Sequence, residues 1–170
     1  MRVVIVEDQA LLREGLVALL REQGIDVVAQ AEDGPGLLRI LAGHKPDLAI
    51  VDVRLPPSFT DEGLRAALEV RERQPGIGVL VLSQYVEPIY TAELLESGEG
   101  GIGYLLKERV GDVRGFVDAV QRVARGGTAL DRGTEALVRD LKRMMHANME
   151  DEIERFVTAL DADHILPDDF

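Results

Sequence analysis

The sequence predicts an α/β fold in which helices cover both faces of a parallel β-sheet. Short apolar segments alternate with stretches of helical periodicity over the first 125 residues, with glycine or proline between many of them. Apolar runs this short are typical of strands that are buried on both faces of a parallel sheet. The predicted strands are residues 2–7, 25–31, 47–51, 77–82 and 102–106. Because crossovers between parallel strands are right-handed, five such units favour a doubly wound sheet.

The stretches between the strands carry helix signals. Leucines fall on one face of residues 10–23, and the charged residues there lie off that face. Asp33 can cap the second helix, because Asp accepts hydrogen bonds from the first amides of a helix. The predicted helices are residues 10–23, 35–42, a stretch that Thr60 or Asp61 can cap and that ends before Pro75, 87–96 and 109–125.

Composition and charge exclude several classes of protein. The chain has 170 residues, a hydrophobic fraction of 46% and no cysteine, so it can build a sizeable core but has no disulfide or thiolate chemistry. No apolar stretch approaches the ~20 residues that span a bilayer, and the N-terminus lacks a signal-peptide pattern. We therefore expect a cytoplasmic protein that is not inserted in a membrane. The net charge of −12 disfavours binding to nucleic acid through the general field.

The C-terminal part differs in kind from the rest. A glycine pair marks a boundary that separates a domain over residues 1–125 from an extension over residues 126–170. Residues 146–170 hold eight acidic residues and one basic residue, a net charge of −7. We expect two short helices within residues 133–160 that dock on the domain or on a partner chain, because helices this short are marginal alone. Their apolar stripes are Leu137, Leu141 and Met144 in the first helix, and Ile153, Phe156, Val157 and Leu160 in the second.

Polar side chains stand where the predicted strands end. Glu7 and Asp8 follow the first strand, and Asp52 follows the third. Ser83 follows the fourth strand and Lys107 the fifth. Because the carboxyl ends of parallel strands share one edge of a sheet, these side chains are expected to converge on a site for a divalent cation and a phosphoryl group. Taken alone, Ser83 would more often be a turn residue, and Lys107 would be a solvated surface charge.

This set of residues resembles the receiver domain of two-component response regulators. The five hallmark positions match in order within residues 2–125, with Ser83 where the family uses Thr or Ser. Segments 51–57 (VDVRLPP) and 103–107 (GYLLK) are most similar to receivers of LuxR-type transcription regulators, the NarL/FixJ-like group. The resemblance implies a flavodoxin-like, five-stranded parallel sheet of order 2-1-3-4-5, followed here by an atypical acidic helical extension.

The resemblance also implies roles for the residues at the strand ends. Asp52 would be the nucleophile that accepts a phosphoryl group from a histidine kinase. Asp8, Asp52 and the backbone carbonyl of Arg54 would hold Mg²⁺, or Mn²⁺, with waters completing the shell. Glu7 would act through a bound water. Lys107 would contact a phosphoryl oxygen as a point charge.

A second group of residues would respond to the phosphoryl group. Ser83 would donate a hydrogen bond to another phosphoryl oxygen, and Tyr104 would be the switch aromatic that turns inward behind it. Tyr104 alone fits a half-buried strand aromatic equally well. Arg54 and Tyr85 would flank the site and tune how fast water removes the phosphate. The chain is thus expected to be a phosphoacceptor with at most slow autodephosphorylation and not an enzyme.

Three functions compete at this point. The first is a phosphorylatable switch whose output is a protein-interaction or dimerisation surface. The second is a LuxR-type transcription regulator whose DNA-binding domain is missing or replaced. The third is a hydrolase that uses Asp52 as a covalent nucleophile, and it ranks last because Arg54 stands where a second acid would protonate a leaving group.

The expected partners follow from the first two functions. We expect a histidine kinase and a second copy of the chain, but no membrane and no DNA, because the extension is too short and too acidic for a DNA-binding domain. Self-association would use an apolar face that includes helix 109–125 or the extension. The stripe on that helix consists of Val113, Phe116, Val117, Val120 and Val123.

Overall fold

A parallel sheet lies at the centre of the computed structural model. The residues that the structure describes are 1–98, 100–131, 134–136, 139–140, 143–144, 146–151 and 154–155. The strands are β1 (Arg2–Val6), β2 (Asp26–Ala31), β3 (Leu48–Asp52), β4 (Gly78–Ser83), β5 (Ile102–Leu106) and β6 (Thr128–Leu130). They run parallel in the order β2-β1-β3-β4-β5-β6, which confirms the predicted order of the first five.

The helices lie close to their predicted positions. They are α1 (Ala10–Glu22), α2 (Gly34–Gly43), α3 (Glu62–Arg73), α4 (Pro88–Glu96) and α5 (Val113–Ala124). Asp33 caps α2, since its carboxylate accepts a hydrogen bond from the Gly36 amide at 2.7 Å. Asp61 precedes α3, but its carboxylate pairs with Arg65 at 2.9 Å instead of capping the helix.

The last helix of the domain begins later than residue 109, where the sequence predicted its start. A 3₁₀ turn occupies Lys107–Gly111, and α5 starts only after it. Asp112 sets this start, because its carboxylate accepts a hydrogen bond from the Gly115 amide at 3.3 Å. The turn matters for the site, since its first residue is Lys107.

The sheet is buried on both faces because its strand residues alternate between two apolar layers. Val4 and Ala49 face the layer that contains α2, α3 and α4. Val3 and Leu48 face the layer that contains α1 and α5. This division of helices between the two faces is the predicted doubly wound arrangement.

The apolar stripe of α5 is largely used inside the core. Phe116, Val117, Val120 and Val123 are buried against the sheet, whereas Val113 is 40% exposed. The part of this stripe that remains at the surface for self-association is therefore Val113, at the first position of the helix.

A sixth strand extends the sheet beyond the predicted five. After the glycine pair, Thr128–Leu130 pair in parallel with β5, where Thr128 lies opposite Ile102 and Leu130 opposite Tyr104. Ala129 is buried in the layer with α1 and α5. Three residues are too few to give a period-two signal, which explains why the sequence did not predict β6.

The extension is helical wherever the structure describes it beyond residue 133. Met144, which was predicted on a packing stripe, is 63% exposed. The other residues of the two predicted stripes lie outside the described residues; they are Leu137, Leu141, Ile153, Phe156, Val157 and Leu160. Among the helices that are described, none is long and apolar enough to cross a membrane.

Candidate functional site

Four of the five residues predicted at the strand ends lie together: Glu7, Asp8, Asp52 and Lys107. Carboxylate oxygens of Glu7, Asp8 and Asp52 lie within 4.8 Å of one another. Lys107 Nζ is 3.1 Å from Asp52 Oδ2 and 3.4 Å from Glu7 Oε2. The arrangement follows from the sheet, because β1 and β3 are neighbours and end at the same edge, with β4 and β5 beside them.

Burial makes this cluster electrostatically costly without a cation. Glu7 is 0% exposed and Asp52 is 4% exposed. Burial raises the pKa of Glu7 to about 7, and the nearby Asp52 charge adds to the effect. Burial also raises the pKa of Asp52, while the Lys107 ammonium opposes that rise.

The donor set fits a divalent metal ion. Among the described residues, Glu7, Asp8 and Asp52 form the group of acidic and histidine side chains close enough to share an ion. Glu7 Oε1 accepts a hydrogen bond from the Gln9 amide at 3.1 Å, but its Oε2 has no hydrogen-bond partner among the described residues and lies 3.4 Å from the Lys107 ammonium. A buried, unsatisfied carboxylate oxygen beside two further acids suits hard cations such as Mg²⁺.

Ser83 and Tyr104 share one hydrogen-bond acceptor. The Ser83 hydroxyl donates to the Tyr85 carbonyl at 2.8 Å, and the Tyr104 hydroxyl lies 3.3 Å from the same oxygen. Tyr104 is fully buried, and burial raises its pKa to about 12, so its phenol stays protonated and can donate. Ser83 is thus turned toward the loop after β4, although it ends the strand next to Asp52.

Arg54, Tyr85 and Glu87 contact one another next to Asp52. The Arg54 guanidinium forms an ion pair with Glu87 at 2.7 Å and lies over the Tyr85 ring, 5.3 Å from its centroid. The Arg54 amide is 3.4 Å from Asp52 Oδ1, which places the main chain of Arg54 at the site. The sequence did not point to Glu87, because nothing in its local pattern indicates a contact with the loop after β3.

Gly63 is a second residue that the sequence analysis missed. It lies in the first turn of α3, and its amide donates to the Val53 carbonyl at 2.8 Å. A Cβ atom at this position would lie 1.6 Å from the Asp52 carbonyl oxygen. Glycine therefore lets α3 approach the strand end that carries Asp52. A glycine in the first turn of a predicted helix was the available signal, because glycine is unfavourable in a helix.

Comparison with known proteins gives the same picture. A family model described as the response regulator receiver domain matches residues 3–114. The transcriptional regulatory protein DegU of Brevibacillus brevis is 31% identical over 155 residues, which cover 90% of this chain and 63% of that protein. The transcriptional regulatory protein LnrK of Bacillus subtilis (strain 168) is 33% identical over 156 residues, which cover 91% of this chain and 68% of that protein.

Solved structures agree with the fold. The receiver domain of the putative response regulator NarL from Mycobacterium tuberculosis is 34% identical, with a TM-score of 0.59, and the match covers 71% of this chain and 95% of that one. The RcsB response regulator of Salmonella typhimurium has a TM-score of 0.71 at 19% identity over 82% of this chain and 69% of that one, a likeness of fold alone. The chain spans about two thirds of the length of the curated relatives DegU and LnrK.

Proposed function

The chain belongs to the response regulator receiver family, and we propose that it is a switch that a histidine kinase phosphorylates on Asp52. The observation that carries this proposal is the contact of Lys107 Nζ with Asp52 Oδ2 at 3.1 Å, beside the buried acids at the end of β1. Phosphoryl transfer depends mainly on positioning and charge neutralisation, and this site offers both.

The transfer exchanges one bond to phosphorus for another. A carboxylate oxygen of Asp52 forms the new P–O bond as the P–N bond of the kinase phosphohistidine breaks, and the electron pair of that bond returns to the imidazole. Asp8, Asp52 and the Arg54 carbonyl would hold Mg²⁺ or Mn²⁺, with Glu7 acting through a water. When bound, the cation neutralises charge on the phosphoryl oxygens. The Lys107 ammonium, already at Asp52, would contact one of those oxygens.

Ser83 would link the phosphoryl group to the loop after β4. Its hydroxyl is held by the Tyr85 carbonyl at 2.8 Å, and a phosphoryl oxygen on Asp52 would compete for this proton. Once Ser83 turns toward the phosphate, the Tyr85 carbonyl keeps Tyr104 as its donor. The loop and the start of α4 would then shift together, which changes a surface that partners can read.

Loss of the phosphate would be slow in this proposal. Arg54, which lies over the Tyr85 ring, would restrict the approach of water together with it. Arg54 also stands where a hydrolase would need an acid, and its guanidinium is paired with Glu87 at 2.7 Å. A cation in that position cannot protonate a leaving group, so turnover of free phosphomonoesters is not expected.

A second candidate output is transcription. The relatives DegU and LnrK carry the description of transcriptional regulatory proteins, and the DegU match covers 90% of this chain, so the similarity continues beyond the family match at residues 3–114. We propose a receiver domain over residues 1–125 and an extension that passes on its state without contacting DNA itself, since residues 146–170 have a net charge of −7. A gel shift at low salt with promoter-length duplex tests this proposal: no shift is expected, and a salt-resistant, sequence-specific shift would show that this chain binds DNA.

Phosphorylation from a small donor tests the proposed function. Incubation with acetyl phosphate and Mg²⁺ should add a single phosphoryl group by intact-mass analysis. Asp52→Asn should abolish the adduct, and Asp26→Asn, which changes an exposed acid at the start of β2, should leave it intact. An adduct that persists in Asp52→Asn would contradict the assignment.

A further inference from the structure

Asp131 is a buried acid outside the site that holds a backbone amide before Lys107 and an arginine side chain after it. It is 7% exposed, its Oδ2 accepts a hydrogen bond from the Leu106 amide at 2.7 Å, and its Oδ1 pairs with Arg109 Nε at 2.9 Å. Leu106 directly precedes Lys107, and Arg109 follows it by two residues. One carboxylate therefore clamps the turn that carries the ammonium at Asp52.

The same residue begins the C-terminal extension. The Asp131 amide donates to the Tyr104 carbonyl at 3.4 Å, which continues the pairing of β6 with β5. Its carbonyl accepts a hydrogen bond from the Glu135 amide at 2.8 Å, and the described residues 134–136 are helical. The backbone amide of Asp131 thus bonds to β5, and its backbone carbonyl bonds to the extension.

We propose that Asp131 is a positioning residue that couples the phosphoryl site to the C-terminal extension, an inference that rests on the proposed phosphorylation of Asp52. When Lys107 moves to meet a phosphoryl oxygen, the main chain at Leu106 moves with it. A buried carboxylate that lost the Leu106 amide would be left short of a partner, so Asp131 follows the strand. Its carbonyl carries the displacement to Glu135.

Amide spectra of the full chain test this coupling. In the unmodified protein, addition of acetyl phosphate and Mg²⁺ should shift the NMR resonances of both the Leu106 and the Glu135 amides. In Asp131→Ala, Asp52 should still be phosphorylated and the Leu106 resonance should still shift, but the Glu135 shift should be lost. A Glu135 shift of the same size as in the unmodified protein would overturn the inference.

A second readout separates positioning from general stabilisation. If Asp131 holds Lys107 in place, Asp131→Ala should slow formation of the Asp52 adduct by roughly tenfold, the lower end of losses seen when a partner behind a site residue is removed. Asp118→Ala is the matched control, because Asp118 is an exposed acid on α5 that lines the same cleft as Asp131. It should leave the adduct rate and the Glu135 shift unchanged, and an unchanged rate in Asp131→Ala would contradict the positioning role.

If Asp131→Ala does not fold, Asp131→Asn provides the same test of the Glu135 shift. Its amide oxygen can still accept from Leu106, but the charge is gone, so the Glu135 shift should be smaller than in the unmodified protein, because a charge-assisted hydrogen bond is stronger than a neutral one. A full Glu135 shift in this variant would overturn the inference. Absence of the adduct in the unmodified protein is a different result, which would refute the phosphorylation of Asp52 itself.

Discussion

At the scale of single residues, Glu7 shows how the site lowers the stability of the folded protein. Its folded-state pKa of about 7 lies above the ordinary value of 4.5, so the folded chain holds this proton more tightly than the unfolded chain. The contribution of protonated Glu7 to the free energy of unfolding is fully present below pH 4.5 and is lost as the pH rises through 7. Near neutral pH, the metal-free protein therefore buries a carboxylate at a cost.

Glu7→Gln should stabilise the metal-free protein at high pH. At pH 8 with a chelator present, we expect the free energy of unfolding in urea to rise by about 3 kcal/mol, since a pKa shift of one unit corresponds to 1.36 kcal/mol. The gain should shrink as the pH falls from 7 toward 4.5. Glu14→Gln, which changes an exposed glutamate on α1, is the control and should show no such pH dependence. A variant no more stable than the unmodified protein at pH 8 would refute this account of Glu7.

Lys107→Ala should impair the phosphate-driven switch more than metal binding. Its Nζ lies 3.1 Å from Asp52 Oδ2, so it faces the proposed phosphoryl acceptor, and an ammonium supplies no metal ligand. Removing a positive charge beside a cation site also removes repulsion. Calorimetric titration with Mg²⁺ at pH 8 should show affinity retained, while the loop shift after acetyl phosphate is lost. Lys45→Ala, an exposed lysine, should alter neither, and a large loss of Mg²⁺ affinity with normal switching would contradict this geometry.

At the scale of elements, the contact between α3 and β3 fixes the place of Asp52. The Gly63 amide bonds the Val53 carbonyl, and the helix sits directly on the Asp52 carbonyl. An added Cβ at Gly63 meets backbone and not a flexible side chain, so the helix has to move away. The close approach of this helix therefore holds Asp52, the proposed nucleophile, at the strand end.

Gly63→Ala should destabilise the fold and slow phosphorylation of Asp52. Overpacking of this kind typically costs about 1–3 kcal/mol, measurable as a lower free energy of unfolding in urea. Gly15→Ala is an informative control, because an added Cβ there meets nothing within 4 Å in the middle of α1. That substitution should stabilise the protein by about 0.5–1 kcal/mol. Equal effects from the two substitutions would mean that the helix does not need its close approach to Asp52.

The same elements show how far sequence patterns reach. The strands through β5 and the site at their ends were predictable, because buried parallel strands give continuous apolar runs and the fold places their ends together. β6 was not, since three residues carry no periodic signal. The start of α5 was also misplaced, because residues 107–111 have no feature that separates a 3₁₀ turn from an α-helix. Contacts such as Arg54 with Glu87, or Asp131 with Leu106, join residues far apart in sequence and need the folded chain.

At the scale of the whole molecule, charge is unevenly distributed and some apolar surface stays exposed. The two layers bury apolar residues on both faces of the sheet, while exposed large apolar side chains occur along the whole chain, among them Leu11, Ile89, Val113 and Met144. The acidic residues of the extension repel nucleic acid but not a protein partner. We therefore expect a protein contact, and not DNA, to be the output of the proposed switch.

Self-association of the full chain follows from that exposed apolar surface. We expect light scattering to show a mass above that of the monomer, with the larger share of dimer after phosphorylation. Val113→Asp, which places a charge at the start of α5, should weaken the dimer. Ile89→Asp changes a more exposed apolar residue on α4 and serves as the comparison for another face. A strict monomer in both states at high protein concentration would refute the prediction.

The most direct test of Asp52 as the phosphoacceptor is to identify the phosphorylated residue by peptide mass spectrometry. After treatment with acetyl phosphate, borohydride reduction converts an aspartyl phosphate to homoserine and marks its position. The site geometry predicts homoserine at position 52 when Mg²⁺ is present and no mark when a chelator replaces it. A mark at another residue, or labelling of Asp52 that does not depend on the metal, would contradict the function proposed for this chain.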